Sequence, residues 1–389
     1  MNKFWPFSFY FLFFAANAAH MPYKVLYFQQ LGFNGPQIGL LTGIAPLITL
    51  ATIPFWTRTA DKTNQHRLIM SVCLLGTIAS LIVFPFLQTF YALLTITLLS
   101  TIFMAPVMSL ATSAAMFMLG VNKNLFGRIR MGGSFGFGIS SLIVGFLVKA
   151  YDLKMAFWMA AAFSLFAFLV SLQLVYGKAK PEPEGNKQGI RDLLTDPNWV
   201  LFLIIAFIAG FGLAANNSYF LPYMEELGID ETIMGLTLAI GSLATIPVLF
   251  LANHFINRFQ AYGTMILSVV FTSLRLILFG LTGNVFAVII IQALNGLTGP
   301  LFGVAGVTYA DQNSPESLRA TGQGLFNTAM RGFGTAVGGF ISGLLLVRIG
   351  GQAMYMVIGL AVLIILAIVV FLRSRFMART QAQAQSPIT

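Results

Sequence analysis

The chain has little charge and few of the residues that carry out chemistry. Only 9% of its 389 residues are charged, and it contains 12 acidic side chains, three histidines and one cysteine. Soluble domains carry about 25% charged residues, so this composition excludes that class. The lone Cys73 excludes an internal disulfide, and the three histidines lie far apart in sequence. We therefore expect no metal and no cofactor.

The sequence also lacks the arrangements that enzymes use. A membrane-embedded enzyme needs a carboxylate pair, a Ser–His arrangement or a metal cluster near the interface, and none is visible. The glycine-rich stretch 132–138 opens no strand–helix unit of the kind that binds phosphates. Small residues at this spacing indicate close helix packing instead. We predict that the protein is not an enzyme and has no catalytic residues.

Apolar runs long enough to cross a membrane recur along the whole chain. Hydrophobic residues make up 57% of the sequence, and its mean hydropathy is +0.83. A spanning helix needs about 20 apolar residues, and the alternation typical of barrel strands is not seen. We predict an all-α, polytopic membrane protein with twelve transmembrane helices, at 5–31, 36–57, 67–87, 90–119, 129–150, 154–176, 199–226, 233–253, 261–282, 285–310, 318–347 and 351–373.

The two halves of the chain repeat each other. Leu31-Gly32-Phe33 recurs as Leu227-Gly228-Ile229, and Gly39-Leu40 recurs as Gly235-Leu236, both at a separation of 196 residues. Three further pairs follow at separations of 194 and 198, namely Pro106 with Pro300, Phe135-Gly136 with Phe333-Gly334, and Gly145 with Gly343. Repeated halves are typical of alternating-access transporters, whose solute site lies between them. The repeat predicts two pseudo-symmetric six-helix bundles.

The basic residues indicate how these bundles lie in the membrane. Sixteen of the 22 are assigned to the side of the N-terminus and only Lys149, Lys154 and Arg348 to the other side; Lys24, Arg275 and Arg331 lie within the predicted spans. The positive-inside rule therefore predicts cytoplasmic termini in a plasma (bacterial inner) membrane. The net charge of +10 is spread over short loops, so we expect no nucleic-acid partner. The expected units are a first bundle at 1–177, a Pro- and Glu-rich linker at 178–198, a second bundle at 199–375 and a cytoplasmic tail at 376–389.

The loop between helices 2 and 3 resembles a signature of the major facilitator superfamily. It runs from Pro54 through Asp61 and Lys62 to Arg67. In the superfamily, the Asp and the flanking basic residues latch the cytoplasmic side. The glycine that usually precedes the Asp is absent here. The resemblance implies gating roles for Asp61 and Arg67; an ordinary solvated turn is the alternative.

Other stretches resemble the branch of this superfamily that contains the lactose and phenylpropionate permeases. They are 126–136 in helix 5, Asn257-Arg258 and 273–275 around helix 9, and 291–300 in helix 10. By this resemblance, Arg130 corresponds to the substrate-binding arginine of the branch and Arg275 to its buried helix 9 arginine. The branch's acidic residues and its helix 10 histidine and glutamate are replaced here by Thr112, Ser242, Asn295 and Thr298. These departures put carboxylate-mediated sugar binding and His–Glu proton coupling in doubt.

The predicted membrane interior is rich in cations and poor in carboxylates. Helix 1 carries Asn17, His20 and Lys24 on one face, and helix 11 carries Asn327, Arg331 and Thr335 at spacings of four residues. Charged residues inside a membrane usually face a cavity. A cavity that binds an anionic or strongly hydrogen-bonding solute explains this pattern; the alternative is that the cations snorkel or bond backbone carbonyls. Arg275 is also consistent with a structural role between helices 9 and 10.

These observations predict a secondary transporter that moves a small organic solute by alternating access, as a proton-coupled symporter. Export of drugs or metabolites is the alternative, and a non-transporting receptor on the same fold is a further one. We expect a monomer in the lipid bilayer. The expected coupling ion is the proton, carried by His20, by Asp311 or by the solute itself when it is a weak acid. The predicted substrate-binding residues are His20, Lys24, Thr112, Arg130, Asn216 and Asn295, and the predicted coupling or gating residues are Asp61, Arg67, Arg275, Asp311 and Arg331.

Overall fold

A computed structural model describes residues 4–121, 125–177, 193–315 and 318–385 of the chain. Within these ranges the regular structure is helical. We number the membrane helices α1 to α12. They are α1 (Phe4–His20 and Lys24–Gln30), α2 (Gly35–Thr63), α3 (His66–Phe86), α4 (Phe90–Leu119), α5 (Phe126–Ala150), α6 (Lys154–Ser171), α7 (Pro197–Glu226), α8 (231–259), α9 (261–281), α10 (Val285–Asn313), α11 (319–349) and α12 (351–385).

Two of these boundaries are single residues inside long helical runs. The runs Glu231–Leu281 and Thr321–Arg375 contain 51 and 55 residues, which is more than twice what one crossing needs. Gln260 (φ +60°) divides the first run, and Gly350 (φ +78°) divides the second. Each run therefore crosses the membrane twice, and the described residues form twelve spans, as predicted.

Several bounds differ from those predicted. Helix α1 is interrupted at 21–23, where Pro22 cannot donate a backbone hydrogen bond. Helices α2 and α8 are about two turns longer than predicted, mainly because their polar ends remain helical beyond the apolar run. Most of the predicted linker, 178–192, lies outside the described residues, and α7 begins at Pro197. The helical backbone continues to Gln385. The domain bounds remain a prediction.

The two halves begin their second helices in the same way. Asn34 caps α2, its side chain accepting from Gln37 N at 3.0 Å while Gln37 Oε1 accepts from Asn34 N. Asp230, 196 residues later, caps α8 by accepting from Thr232 N at 2.9 Å and from Ile233 N at 3.2 Å. The preceding turns share a left-handed glycine, Gly32 (φ +78°) and Gly228 (φ +71°), because a side chain is strained in that conformation. The sequence repeat is thus a repeat of local geometry.

The same repeat builds the contact between the two bundles. Helix α2 packs on α11, and α5 packs on α8. A Cβ added to Gly343 would lie 2.8 Å from Gly39 Cα, and one added to Gly145 would lie 3.0 Å from Gly235 Cα. The paired glycines of the sequence therefore meet at two symmetric places. Only residues without a side chain permit so close an approach of two backbones.

These contacts lie toward one face of the membrane. We call the face that holds the chain ends the terminus side and the opposite face the far side, and we call the α2–α11 and α5–α8 contacts the far-side seal. The hydrogen bonds of Thr42 with Tyr219 and Gly339, those of Ser134 with Thr245 and Ser242, and the Lys149–Asp230 ion pair all join the halves at the seal or next to it. The structure is therefore closed at the far side and open at the terminus side.

An ion pair reinforces the seal at its outer edge. Lys149 Nζ at the end of α5 lies 3.3 Å from Asp230 Oδ2 at the start of α8. Partial burial acts to raise the pKa of Asp230, but the hydrogen bond from Ile233 N–H and the Lys149 ammonium hold it below its ordinary value. Since both groups are largely exposed, this pair is a weak tie, and the glycine contacts dominate.

The seal can be tested by adding one methyl group. In Gly235→Ala the new Cβ would overlap the carbonyl oxygen of Ser141, so α5 and α8 must separate. We expect the population open at the far side to rise at least about threefold. Spin labels at Gln88→Cys and Gly283→Cys, in a Cys73→Ala background, report the distance between the halves at this face. Gly303→Ala is the matched control, because a Cβ there meets no atom within 4 Å; an unchanged distance distribution in Gly235→Ala would contradict the role of the seal.

Candidate functional site

Two arginines from different halves lie where the bundles part. Arg130 of α5 and Arg331 of α11 both have accessible side chains, although they lie in membrane helices. Arg130 is one turn on the terminus side of Ser134, whose hydroxyl lies 3.2 Å from Thr245 Oγ1 of the other half. Arg331 precedes Gly332, which packs on Leu50 of α2. Both guanidinium groups therefore border the cavity that opens toward the terminus side.

The wall near Arg130 carries hydroxyl groups. Tyr10 Oη of α1 lies 2.9 Å from Thr112 Oγ1 of α4, and Tyr10 is within electrostatic range of Arg130. Phe126 packs edge-on against Tyr10, with ring centroids 6.1 Å apart. Tyr10 is only 1% exposed, so in this state the group that a planar acid could reach here is the guanidinium of Arg130. The structure thus brings together two predicted residues, Thr112 and Arg130, and adds Tyr10.

Arg275 and Asn295 form a cluster in the second half. Arg275 is only 2% exposed, and it donates from Nη1 to Asn295 Oδ1 at 2.8 Å and from Nη2 to Gln292 Oε1. Asn295 donates in turn to the carbonyl oxygen of Gly241 at 3.0 Å. These bonds tie α8, α9 and α10 together, which matches the structural alternative for Arg275. Both ends of the Asn295 amide are occupied in this state, so its predicted contact with solute would require one of these bonds to break.

His20 and Lys24 lie elsewhere. His20 is buried, and its Nδ1 lies 2.7 Å from the carbonyl oxygen of Ala16 on its own helix. The Lys24 ammonium lies over the Phe84 ring, 5.8 Å from its centroid, at the far-side end of α3. At 1.5 Å per residue, Lys24 is about 9 Å from the far-side end of α1, whereas Arg130 is about 30 Å from that of α5. The structure therefore does not bring the two predicted cationic anchors into one site.

Asn216 of α7 is buried, and its Oδ1 has no hydrogen-bond partner among the described residues. An unsatisfied buried carbonyl is costly, so this atom is available to a ligand or to water.

On α11, a π-helical segment at Thr328–Gly334 interrupts the helix. The predicted four-residue spacing of Asn327, Arg331 and Thr335 therefore does not form one straight polar stripe. Instead, the Thr335 hydroxyl donates to the carbonyl oxygen of Arg331 at 2.5 Å.

At the terminus side, Asp61 pairs with a residue that the sequence did not single out. His66 Nε2 lies 2.8 Å from Asp61 Oδ1, and the Tyr176 ring stacks on His66 at 5.4 Å. Arg67 is exposed and lines a groove on α3 rather than pairing with Asp61. In the C-terminal half, Oδ1 of Asp311 in the last turn of α10 lies 3.8 Å from Nε of Arg319 at the start of α11.

Three residues of these clusters were missed by sequence reasoning. Tyr10 and Gln292 lie in apolar runs, where one polar tip gives little signal. His66 follows Asn64, whose left-handed backbone (φ +53°) ends α2 and turns the chain back toward Asp61. An Asn–Gln–His sequence after an apolar helix could have indicated that turn. Among the described residues, no group of His, Cys, Asp and Glu is arranged to hold a metal ion.

Comparison with known proteins agrees with this architecture. The profile described as MFS_1 like family matches residues 5–357. The maltose permease of Geobacillus stearothermophilus is 26% identical, over 92% of this chain and 93% of its own length. The quinolone resistance protein NorA of Staphylococcus aureus (strain COL) is 24% identical, over 90% of this chain and 91% of its own.

A solved structure shows the same fold. A crystal structure of a mutant of the nucleoside transporter NupG superposes with a TM-score of 0.86 at 18% identity, over 95% of this chain and 98% of that one. The predicted fold class and the resemblance to the major facilitator superfamily are confirmed, and so is the prediction that the protein is not an enzyme. The chain belongs to the MFS_1 like family and is a multi-pass membrane transporter.

Proposed function

We propose that this transporter moves a small organic anion by alternating access across a plasma (bacterial inner) membrane, with the terminus side in the cytoplasm. In the present state the cavity then faces the cytoplasm. The excess of basic residues in the terminus-side loops supports this orientation.

The observation that carries the proposal is the charge of the cavity. Arg130 borders it beside Tyr10 and Thr112, and Arg331 borders it from the other half. The ion pairs among the described side chains involve Asp61, Asp230 and Asp311, all at helix ends or loops. Two arginines that have no carboxylate partner among the described side chains attract an anion, since an anionic solute supplies the negative charge that these side chains do not place beside them.

We further propose that transport is coupled to protons. Candidate proton carriers are His20, Asp311 and the solute itself, when the solute is a weak acid. His20 is the candidate that shares a helix with Lys24 and lies within its electrostatic range, so its protonation would respond to charge nearby.

Export is the second candidate. The similarity to NorA, whose name refers to quinolone resistance, favours it, whereas the similarity to maltose permease favours uptake. Direction of net transport separates the two.

Uptake into proteoliposomes tests the solute class. A panel of carboxylates, phosphorylated compounds, nucleosides and sugars should show transport of at least one anion. Arg130→Gln should then lower its uptake about tenfold or more, because a charge-assisted hydrogen bond is lost. The matched control is Arg128→Gln, since residue 128 is exposed on another face of the same helix. Transport of neutral solutes alone, unaffected by Arg130→Gln, would contradict the proposal.

An imposed pH gradient tests coupling. Wild-type proteoliposomes should accumulate the transported solute when the gradient is present and only equilibrate it when the gradient is absent. His20→Gln should equilibrate solute but no longer accumulate it. Accumulation that survives this substitution would remove His20 from the mechanism and leave Asp311 or the solute as the carrier.

A further inference from the structure

Arg130 and Arg331 lie at similar distances from the far side. Counted at 1.5 Å per residue along α5 and α11, they lie about 30 Å and about 27 Å from the far-side ends of these helices. Each is adjacent to the last contact of the far-side seal on its own side, Ser134 with Thr245 and Gly332 with Leu50. The two cations therefore lie at similar heights on opposite halves, next to the terminus-side edge of the far-side seal.

Their charges interact across the cavity. Arg331 is within electrostatic range of Arg130, and no carboxylate is paired with either guanidinium among the described residues. Like charges in a site that is partly removed from bulk water repel each other more strongly than at a protein surface. Closing the terminus side of the empty protein would increase this repulsion.

The backbone of α11 also changes at this point. Arg331 lies in the middle of the π-helical segment Thr328–Gly334, and such segments occur often at functional sites. The wider turn displaces Arg331 from the face that a regular helix would give it. This distortion is a second, independent feature that singles out Arg331 rather than a neighbouring polar residue.

We propose that one carboxylate or phosphate group of the solute binds between Arg130 and Arg331, and that repulsion between the empty arginines holds the terminus side open. The bridging anion replaces repulsion by two charge-assisted, bidentate contacts, so the halves close around an occupied site. This inference rests on the proposed transport of an anion and adds Arg331 as a second anchor.

The repulsion can be measured without knowing the solute. Spin labels at Thr63→Cys and Gln312→Cys, in a Cys73→Ala background in lipid nanodiscs, report the terminus-side opening. Without solute, Arg331→Gln should raise the closed-to-open ratio about tenfold, because one of two like charges is removed, and Arg331→Lys should not. Arg348→Gln, at the exposed far-side end of the same helix, is the control. An unchanged ratio in Arg331→Gln would overturn the proposed repulsion.

The bridge is tested with sodium acetate, benzoate, succinate and phosphate against sodium chloride at equal ionic strength. At least one oxyanion should shift the wild-type protein toward the closed state but fail to shift Arg130→Gln or Arg331→Gln. A panel in which no oxyanion differs from chloride would overturn the bridge. Anion uptake that persists in that case would leave the proposed function standing, so the two failures are distinguishable.

A second inference comes from the hydroxyl groups around the far-side seal. Tyr219 of α7 is buried; its hydroxyl donates to the carbonyl oxygen of Gly339 at 2.6 Å and lies 2.7 Å from Thr42 Oγ1. This group therefore joins α7, α11 and α2 across the two halves. Its counterpart 196 residues earlier is Tyr23, which is fully buried.

Tyr23 has no such partner. Its hydroxyl is buried and without a hydrogen bond in the described part of the chain, although the residue lies within electrostatic range of Glu231 at the start of α8. The position equivalent to Thr42 is Leu238, so the hydroxyl that completes the Tyr219 network is missing. An unsatisfied buried hydroxyl destabilises the state that buries it.

We infer that the far-side seal is asymmetric, and that Tyr23 makes the α5–α8 contact weaker than the α2–α11 contact. When the α5–α8 contact separates, water reaches the Tyr23 hydroxyl and forms a hydrogen bond with it. When the α2–α11 contact separates, the hydrogen bonds of the Tyr219 hydroxyl are lost. The far side should therefore begin to open between α5 and α8.

Four substitutions test this, with the labels at Gln88→Cys and Gly283→Cys. Tyr23→Phe and Leu238→Thr should each raise the ratio of closed to open far side about fivefold or more, since one removes the unsatisfied hydroxyl and the other gives it a partner. Tyr219→Phe should lower that ratio. The control is Tyr27→Phe, whose hydroxyl bonds Pro85 and Leu87 within the same half. A ratio that stays constant or falls in both Tyr23→Phe and Leu238→Thr would overturn the inference.

Discussion

The close approach of backbones at paired glycines is the constraint on which the rest of the structure depends. Gly39 with Gly343 and Gly145 with Gly235 bring the halves together along two helix pairs. Because these contacts are confined to the far side, the halves diverge toward the terminus side and create the cavity. The arginines that border the cavity owe their exposure to that divergence. A wider seal would also let water into the far side, and the same helices could then not separate two aqueous compartments.

Much of the fold was readable from the sequence because it is a repeat. The pairing of Gly39 with Gly235 and of Gly145 with Gly343 along the chain predicted equivalent places in two bundles, and the structure brings these residues into contact. Bounds were less accurate where a polar helix end follows an apolar run, as at Thr63 in α2. Separate spans at 233–253 and 261–282, and at 318–347 and 351–373, were predicted from the apolar runs. The continuous helical backbone up to Gln260 and Gly350 was not predicted.

The site was less predictable, because the direction in which a side chain points and its hydrogen-bond partners depend on neighbouring helices. Lys24 and Arg130 were expected to anchor one solute, yet they lie at different depths. Asn295 was expected to face solute, yet its amide is held by Arg275 and Gly241. Buried amides stabilise that arginine in place of a carboxylate, which composition cannot reveal. The preference for cations over carboxylates in the interior was visible, because counting residues requires no knowledge of geometry.

The single-residue connections at Gln260 and Gly350 have a mechanical consequence. Helices α8 and α11 form the second half's share of the far-side seal, and each continues into its neighbour with no loop between them. A tilt of α8 must therefore carry α9 with it, and a tilt of α11 must carry α12. Helix α9 is tied in turn to α10 through Arg275. A displacement of the seal helices is thus passed directly to the other helices of the second half, with no loop to absorb it.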